Sequence, residues 1–168
     1  MTHTAFSVGL LSADLDRSAF QSGAQALDHY FQHQLGQDVR RRITACFVAT
    51  NTLTGQLAGF YTLASASIPL TDLPPALIKK LPRYPSVPVV RMGRLAVDMA
   101  YKGQGLGAAL LADALQRCCR AEIAAYALIV DAKETSAAAF YAHHGFLPLP
   151  EHPLTLFLPL ATARSLLA

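Results

Sequence analysis

Residues 101–111 read YKGQGLGAALL, with Gly103, Gly105 and Gly107 at alternate positions before an apolar, alanine-rich run. Residues 108–119 hold strong helix formers and neither Gly nor Pro, so the glycines stand where a turn opens a helix. Such a turn leaves several backbone N–H groups unpaired and clear of Cβ atoms, and the positive end of the helix dipole lies at the same point. The ligand that suits it is an anion, phosphate above all. Lys102 adds a full charge at the entry and Gln104 a further N–H. No GK[ST] follows, which excludes a Walker A loop. Gly103, Gly105 and Ala108 do satisfy the dinucleotide pattern G-x-G-x-x-[GA]. However, four residues, Met99 to Lys102, separate the glycines from the preceding strand, and only 65 residues follow Gly103, too few for the second half of a dinucleotide-binding sheet. A tight strand-to-helix turn alone would need one or two glycines.

A second candidate for chemistry is Tyr141 in AAFYAHHGF (138–146). It lies about 100° around the helix from Phe140. Ala137, Phe140 and His144 form one stripe, which leaves Tyr141 available to a cleft. No acidic residue stands out as a general base: Asp98 and Asp131 read as loop caps and Glu134 as a helix-start residue. His143 and His144 read as dipole partners at a helix end. Basic residues cluster at Arg40, Arg41 and Arg42, at Lys79, Lys80 and Arg83, and at Arg91 and Arg94. Arg91 and Arg94, three apart on a strand, should face opposite sides. A net charge of +3 is by itself too small to announce a nucleic-acid binder.

The elements that must position these residues form one α/β domain spanning 1–168, with a mixed central sheet flanked by helices. Apolar residues recur at helical spacing from Ser12 to Leu35, with Gly23 as a break between two short helices. Residues 45–50 and 55–68 read as strands joined by the turn NTLTG. Residues 69–88 hold six of the ten prolines and read as a loop around one short helix at Ala76–Leu81. A strand at 89–98, a helix at Leu106–Arg120, a strand at 125–132, a helix at Ser136–His144 capped by Gly145, and a strand at 154–160 complete the order.

Hydrophobic residues make up 52% of the chain and charged residues 15%, which excludes a disordered protein. Apolar runs are too short to span a bilayer, and the start MTHTAFSVGL has no signal-like core, so a cytoplasmic protein without a membrane partner is expected. Cys46, Cys118 and Cys119 build neither a disulfide framework nor a zinc site and read as small buried hydrophobes; no metal site is expected.

KGQGLG (102–107) resembles the [QR]-x-x-G-x-[GA] motif of the GNAT N-acetyltransferases, with Lys102 in place of Gln or Arg. The resemblance extends to RLAVD (94–98), LIVDA (128–132) and AAFYAHHGF. Upstream, FQSGAQALDHYF (20–31), Arg40–Arg42, GFYTLASASI (59–68) and LPRYPSVPVVRMGRLAVD (81–98), together with the tail PLTLFLPL (153–160), look like the GNAT branch of toxins from type II toxin–antitoxin pairs, apart from Ser22 where that branch usually has Cys.

The resemblance implies acetyl-coenzyme A as cofactor. Its pyrophosphate would lie on Lys102, Gly103, Gln104, Gly105, Leu106, Gly107 and Ala108, its thioester carbonyl would face main-chain N–H groups among Leu95, Ala96 and Val97, and Tyr141 would stand near the sulfur. It also implies acetylation of the α-amino group of aminoacyl-tRNA, which blocks translation, and silencing by a ribbon-helix-helix antitoxin; a homodimer stays open. The basic clusters would then hold the phosphates of a tRNA acceptor stem. An α-amine titrates at about 7.7–8.0 and a lysine at about 10.4, so a site with no evident base favours the α-amine. Two alternatives stay open: a GNAT enzyme for a small amine or a protein amino terminus, and a non-enzymatic coenzyme- or nucleotide-binding module.

Overall fold

The structure is a computed structural model that describes residues 5–167. Its strands are β1 (Phe6–Leu10), β2 (Ala45–Asn51), β3 (Leu57–Pro69), β4 (Ser86–Val97), β5 (Ala127–Asp131), β6 (Leu147–Leu149) and β7 (His152–Pro159). They form a seven-stranded sheet in the order β1-β2-β3-β4-β5-β7-β6. The sheet is mixed: β4 and β5 run parallel, whereas β1 with β2, β2 with β3, β5 with β7 and β6 with β7 are antiparallel. Among the described residues six α-helices accompany it: α1 (Gln25–His33), α2 (Leu35–Arg40), α3 (Pro75–Ile78), α4 (Leu106–Arg120), α5 (Thr135–His143) and α6 (Leu160–Leu167). The chain forms two compact units, through both of which β3, β4 and α4 pass.

The first unit holds the described residues up to Ala64 together with Gly93–Ala114. Its core is aromatic: Phe31 stacks on Phe60 at 4.0 Å, and Phe20 meets both edge-on at 4.9 and 5.5 Å. Leu35, Cys46, Val48, Leu57 and Ala96 close around these rings. Each ring contributes about 1.5–3 kcal/mol by leaving water. Close approach fixes one glycine here, since a Cβ on Gly59 would lie 2.9 Å from the Ala96 carbonyl and 3.0 Å from Leu110 Cδ1.

The second unit comprises Ser65–Met92 and the described residues from Leu115 onward. Ala127, Leu128, Ile129 and Val130 of β5 are all buried, which is why the sequence there is a continuous apolar run and not an alternating one. The parallel pairing of β4 with β5 covers Val89–Met92 of the twelve residues in β4. Ile68, Leu73, Val87, Val89, Ile129 and Phe157 make the core.

The helices and strands read from the sequence are largely present, with four corrections. The helical spacing from Ser12 is not a helix until Gln25. Polar side chains compete with helical bonding in between: the Ser18 N–H donates to Asp16 and the Ala24 N–H to the Ser22 hydroxyl, and Gly23 takes φ +96°. The sequence pattern does not mark strands β1 and β6 or helices α2 and α6. The proline-rich loop ends earlier than expected, because β4 begins at Ser86, and its helix is Pro75–Ile78, started by Pro75 at a position where a missing N–H costs nothing. Cys46 and Cys118 are buried, but Cys119 is only half-buried. Helix α5 does end at Gly145, with φ +95° and the Phe146 N–H bonded to the Tyr141 carbonyl.

Candidate active site

The entry to the glycine loop is fixed by a buried carboxylate. Asp98 follows β4 and accepts the Ala100 N–H at 2.9 Å on one oxygen and the Gln21 N–H at 3.0 Å on the other. Tyr101 is buried, and its hydroxyl donates to Gln56 Oε1 at 2.8 Å. Beyond it Lys102, Gly103, Gln104 and Gly105 are exposed. Gly103 and Gly105 adopt φ +81° and +79°, and a Cβ on either would meet no atom within 4 Å. Only their backbone conformation, not crowding, calls for glycine.

Among the described residues, none of the six N–H groups from Gly103 to Ala108 donates to a protein acceptor; the first to do so is Ala109, to the Gly105 carbonyl at 3.1 Å. These donors open the fifteen-residue helix α4. A pyrophosphate fits this arrangement. Leu106 offers only its N–H, because its side chain is buried. The Lys102 ammonium is directed elsewhere, donating to the Ser22 carbonyl at 2.5 Å.

On β4 the three expected donors separate. The Arg94 N–H reaches Thr62 Oγ1 on β3 at 3.1 Å, and the Asp98 N–H reaches the Ala58 carbonyl at 2.8 Å. Backbone groups alternate sides along a strand, so the Ala96 N–H points to β3 as well. Leu95 and Val97 point theirs away from β3 and are the two donors that suit a ligand, while the Ala96 side chain belongs to the aromatic core.

Tyr141 lies on α5, with its ring buried and 5.6 Å from that of Phe146. Phe140 and His144 share the other stripe, half-buried, with their rings 4.9 Å apart. Among the described residues Tyr141 makes no hydrogen bond through its hydroxyl, yet no fully buried side-chain oxygen or nitrogen lacks a partner. The phenolic oxygen therefore reaches open space while its ring does not. Burial pushes its pKa up to about 12.

The basic residues fall into different environments. Arg40, Arg41 and Arg42 are exposed at the end of α2. Arg42 is held at φ +58°, and the Ile43 N–H bonds the Asp38 carbonyl around it, a helix ending that usually carries glycine. Lys79, Lys80 and Arg83 are exposed after α3. Arg91 is paired with Asp131, which also accepts the Thr155 hydroxyl at 3.0 Å, so its charge is already matched. Arg94 lies over the Tyr30 ring, 3.4 Å from its centroid. The Tyr30 hydroxyl donates to Asp38 at 2.7 Å; burial first, then this bond, pushes the phenol up to about 12 against the pull of Arg94.

Residues 42–148 match the family profile described as an acetyltransferase (GNAT) domain. The chain belongs to the GNAT acetyltransferase family. Among GNAT relatives, it is 38% identical over 154 residues to the tRNA-acetylating toxin of Mycobacterium tuberculosis, covering 90% of each chain. It resembles the solved structure of AtaT complexed with acetyl-methionyl-tRNAfMet at 31% identity and a TM-score of 0.89, covering 98% of this chain and 100% of that one. It also resembles a tyrosine-to-phenylalanine mutant of the AtaT toxin bound to the C-terminus of the antitoxin AtaR and acetyl-CoA, at 28% identity and a TM-score of 0.80, covering 96% and 97%.

Asp28 and Arg17, which brace the segment beside the glycine loop, are not singled out by the sequence. Ser22 and Asp28 hold the segment before α1, with the Ser22 hydroxyl donating to Asp28 at 2.6 Å. Arg17 donates to the Phe31 carbonyl at 2.8 Å and braces the same region. A lone polar residue, in a loop like Arg17 or on a helix like Asp28, carries no periodicity that singles it out. Among the described residues no group of three His, Cys, Asp or Glu side chains could hold a metal ion, and no helix is long and apolar enough to cross a membrane.

Proposed function

We propose that this GNAT chain acts as one domain over its whole length, transferring the acetyl group of acetyl-coenzyme A to the free α-amino group of aminoacyl-tRNA. The observation that carries the reading is the row of six unpaired N–H groups from Gly103 to Ala108 at the start of α4. The acceptor is supported by the relatives, which act on tRNA by name. When bound, the coenzyme supplies an acetyl group already activated as a thioester.

The chain's residues then divide the work. The loop N–H groups bind pyrophosphate, and the N–H groups of Leu95 and Val97 stabilise the carbonyl oxygen as it gains charge. Tyr141 donates a hydrogen bond to the departing sulfur. With its pKa at about 12 the phenol stays protonated at every working pH, and the proton shed by the attacking amine replaces any that it gives up. An α-amine with a pKa of about 7.7–8.0 is substantially neutral near pH 7.5 and needs no base.

Acting in the cytoplasm, such an enzyme would stop translation, and its natural silencer would be an antitoxin of the ribbon-helix-helix type. The direct test is to incubate the protein with labelled acetyl-CoA and charged tRNA, strip the tRNA, and identify the acylated amino acid. Label on the α-nitrogen is expected. Turnover of polyamines or peptides with none on charged tRNA would overturn the reading.

The exposed arginines at the end of α2 supply phosphate contacts in this scheme. Arg42 is the informative one, because a left-handed conformation costs a non-glycine residue about 1 kcal/mol. Arg42→Gly is expected to raise stability in urea by about 0.5–1 kcal/mol while weakening tRNA binding and lowering its salt slope by about one. Unchanged binding across a salt series would remove Arg42 from the interface.

A further inference from the structure

The segment Phe20–Ala24 is a strap held from two sides. On one side Asp28 accepts the Ser22 N–H at 3.0 and 3.1 Å and the Ser22 hydroxyl at 2.6 Å, and Gln32 Nε2 donates to the Phe20 carbonyl at 2.8 Å. On the other side three bonds join the strap to the residues that open the glycine loop. The Gln21 N–H donates to Asp98 at 3.0 Å, the Met99 N–H to the Gln21 carbonyl at 2.8 Å, and the Lys102 ammonium to the Ser22 carbonyl at 2.5 Å. Ser22 is thus gripped at both ends, by a carboxylate on its donors and an ammonium on its acceptor. It is 5% exposed.

We propose that Lys102 is a positioning residue of the coenzyme site, tying the start of the glycine loop to Ser22, and not the countercharge of a phosphate. The inference rests on the reading of Gly103–Ala108 as the pyrophosphate cradle. The loop cannot hold its own shape: Gly103 and Gly105 have free space around them, and its N–H groups have no protein partners. Its orientation comes from its entry, and Lys102 is the last residue before the first glycine that is fastened to anything. A lysine suits this task, since a compact ammonium on a flexible stem can reach a carbonyl 80 positions away in sequence and satisfy it with a charge-assisted bond.

The two roles predict opposite signs at Asp28. If Lys102 serves as a countercharge, Asp28 is an unfavourable negative charge on the far side of Ser22, and Asp28→Asn should leave acetyl-CoA binding unchanged or tighten it. If Lys102 is a tie, Asp28→Asn loosens the same strap and should weaken binding as Lys102→Ala does. Calorimetric titration with acetyl-CoA is expected to show a loss of about five- to tenfold for each single variant, a double variant no worse than about twofold beyond either, and recovery in Lys102→Arg. Tighter or unchanged binding in Asp28→Asn, or additive losses in the double variant, would overturn the proposal.

Hydrogen exchange on the protein without coenzyme supplies a readout that does not depend on the cradle assignment. The amides of Gln21 and Ser22 should exchange faster in Lys102→Ala than in the unaltered chain; equal rates would overturn the tie. A chain that binds no acetyl-CoA, yet shows the faster exchange in Lys102→Ala, would locate the failure in the functional reading and not in the tie.

Discussion

Tyr141→Phe is expected to lower the rate of acetyl transfer by about 100-fold while leaving acetyl-CoA binding within about twofold. The size follows from what the hydroxyl does and does not do. It makes no hydrogen bond among the described residues, so folding makes no use of it, and stability should change by less than about 0.5 kcal/mol at neutral pH. Single-turnover transfer to charged tRNA measures the loss. A decrease below about threefold would mean that the sulfur leaves without help from this residue.

The pH dependence separates Tyr141 from a base. A phenol at about 12 does not titrate in the working range, so kcat/KM should rise with pH as the α-amine loses its proton near 7.7–8.0, with no descending limb below pH 10. Tyr141→Phe should keep the same rising limb at a lower level. At the alkaline end the sign reverses into a stability effect. The folded-state pKa lies above the ordinary value of 10.0, so the contribution is complete below pH 10 and lost as pH climbs through about 12. Denaturation midpoints should therefore fall less steeply in Tyr141→Phe than in the unaltered chain over that interval.

Gly105→Val is expected to abolish measurable acetyl-CoA binding with the fold retained. Valine is β-branched, and φ +79° is a genuine outlier for it, so the loop must flip to a negative φ and turn its N–H groups away from one another. The surrounding space is empty, so nothing in the core is displaced. Gly59→Ala is the contrasting control: its new methyl group would press on the Ala96 carbonyl at 2.9 Å and should lower thermal stability, with coenzyme binding lost only as the protein unfolds. Calorimetry and thermal melts on both variants distinguish the two glycines. Binding of acetyl-CoA by Gly105→Val at native affinity would mean that the loop is not the cradle.

Local physics made much of this legible in the residues themselves. Helix α4 reads from the sequence at Leu106–Arg120, its observed bounds, because its apolar face repeats with helical period and the glycines mark its start. Strand β5 was visible as an apolar run, and the Gly145 cap as a glycine after a helical stretch. The failures share one cause. The stretch from Ser12 to Ala24 has helical spacing, but Asp16 and Ser22 divert the backbone by accepting the Ser18 and Ala24 N–H groups, bonds that no period reveals. The target of Lys102 is a main-chain oxygen 80 residues away, and main-chain oxygens look alike in any sequence. Likewise, which of Leu95, Ala96 and Val97 points away from β3 depends on strand register, which a one-residue shift would invert. On α5, Phe140 and His144 do share a stripe, yet it is the less buried side, and Tyr141 is the residue drawn inward.

The two deepest cysteines bear on how such a protein can handle a thioester safely. Burial pushes the thiols of Cys46 and Cys118 up to about 12. Only the thiolate attacks a thioester, and at pH 7.5 a thiol with that pKa is ionised in roughly 3 molecules per 100,000. Acyl exchange onto either sulfur is thereby suppressed by chemistry as well as by access, so the acetyl group is not lost to the protein's own interior.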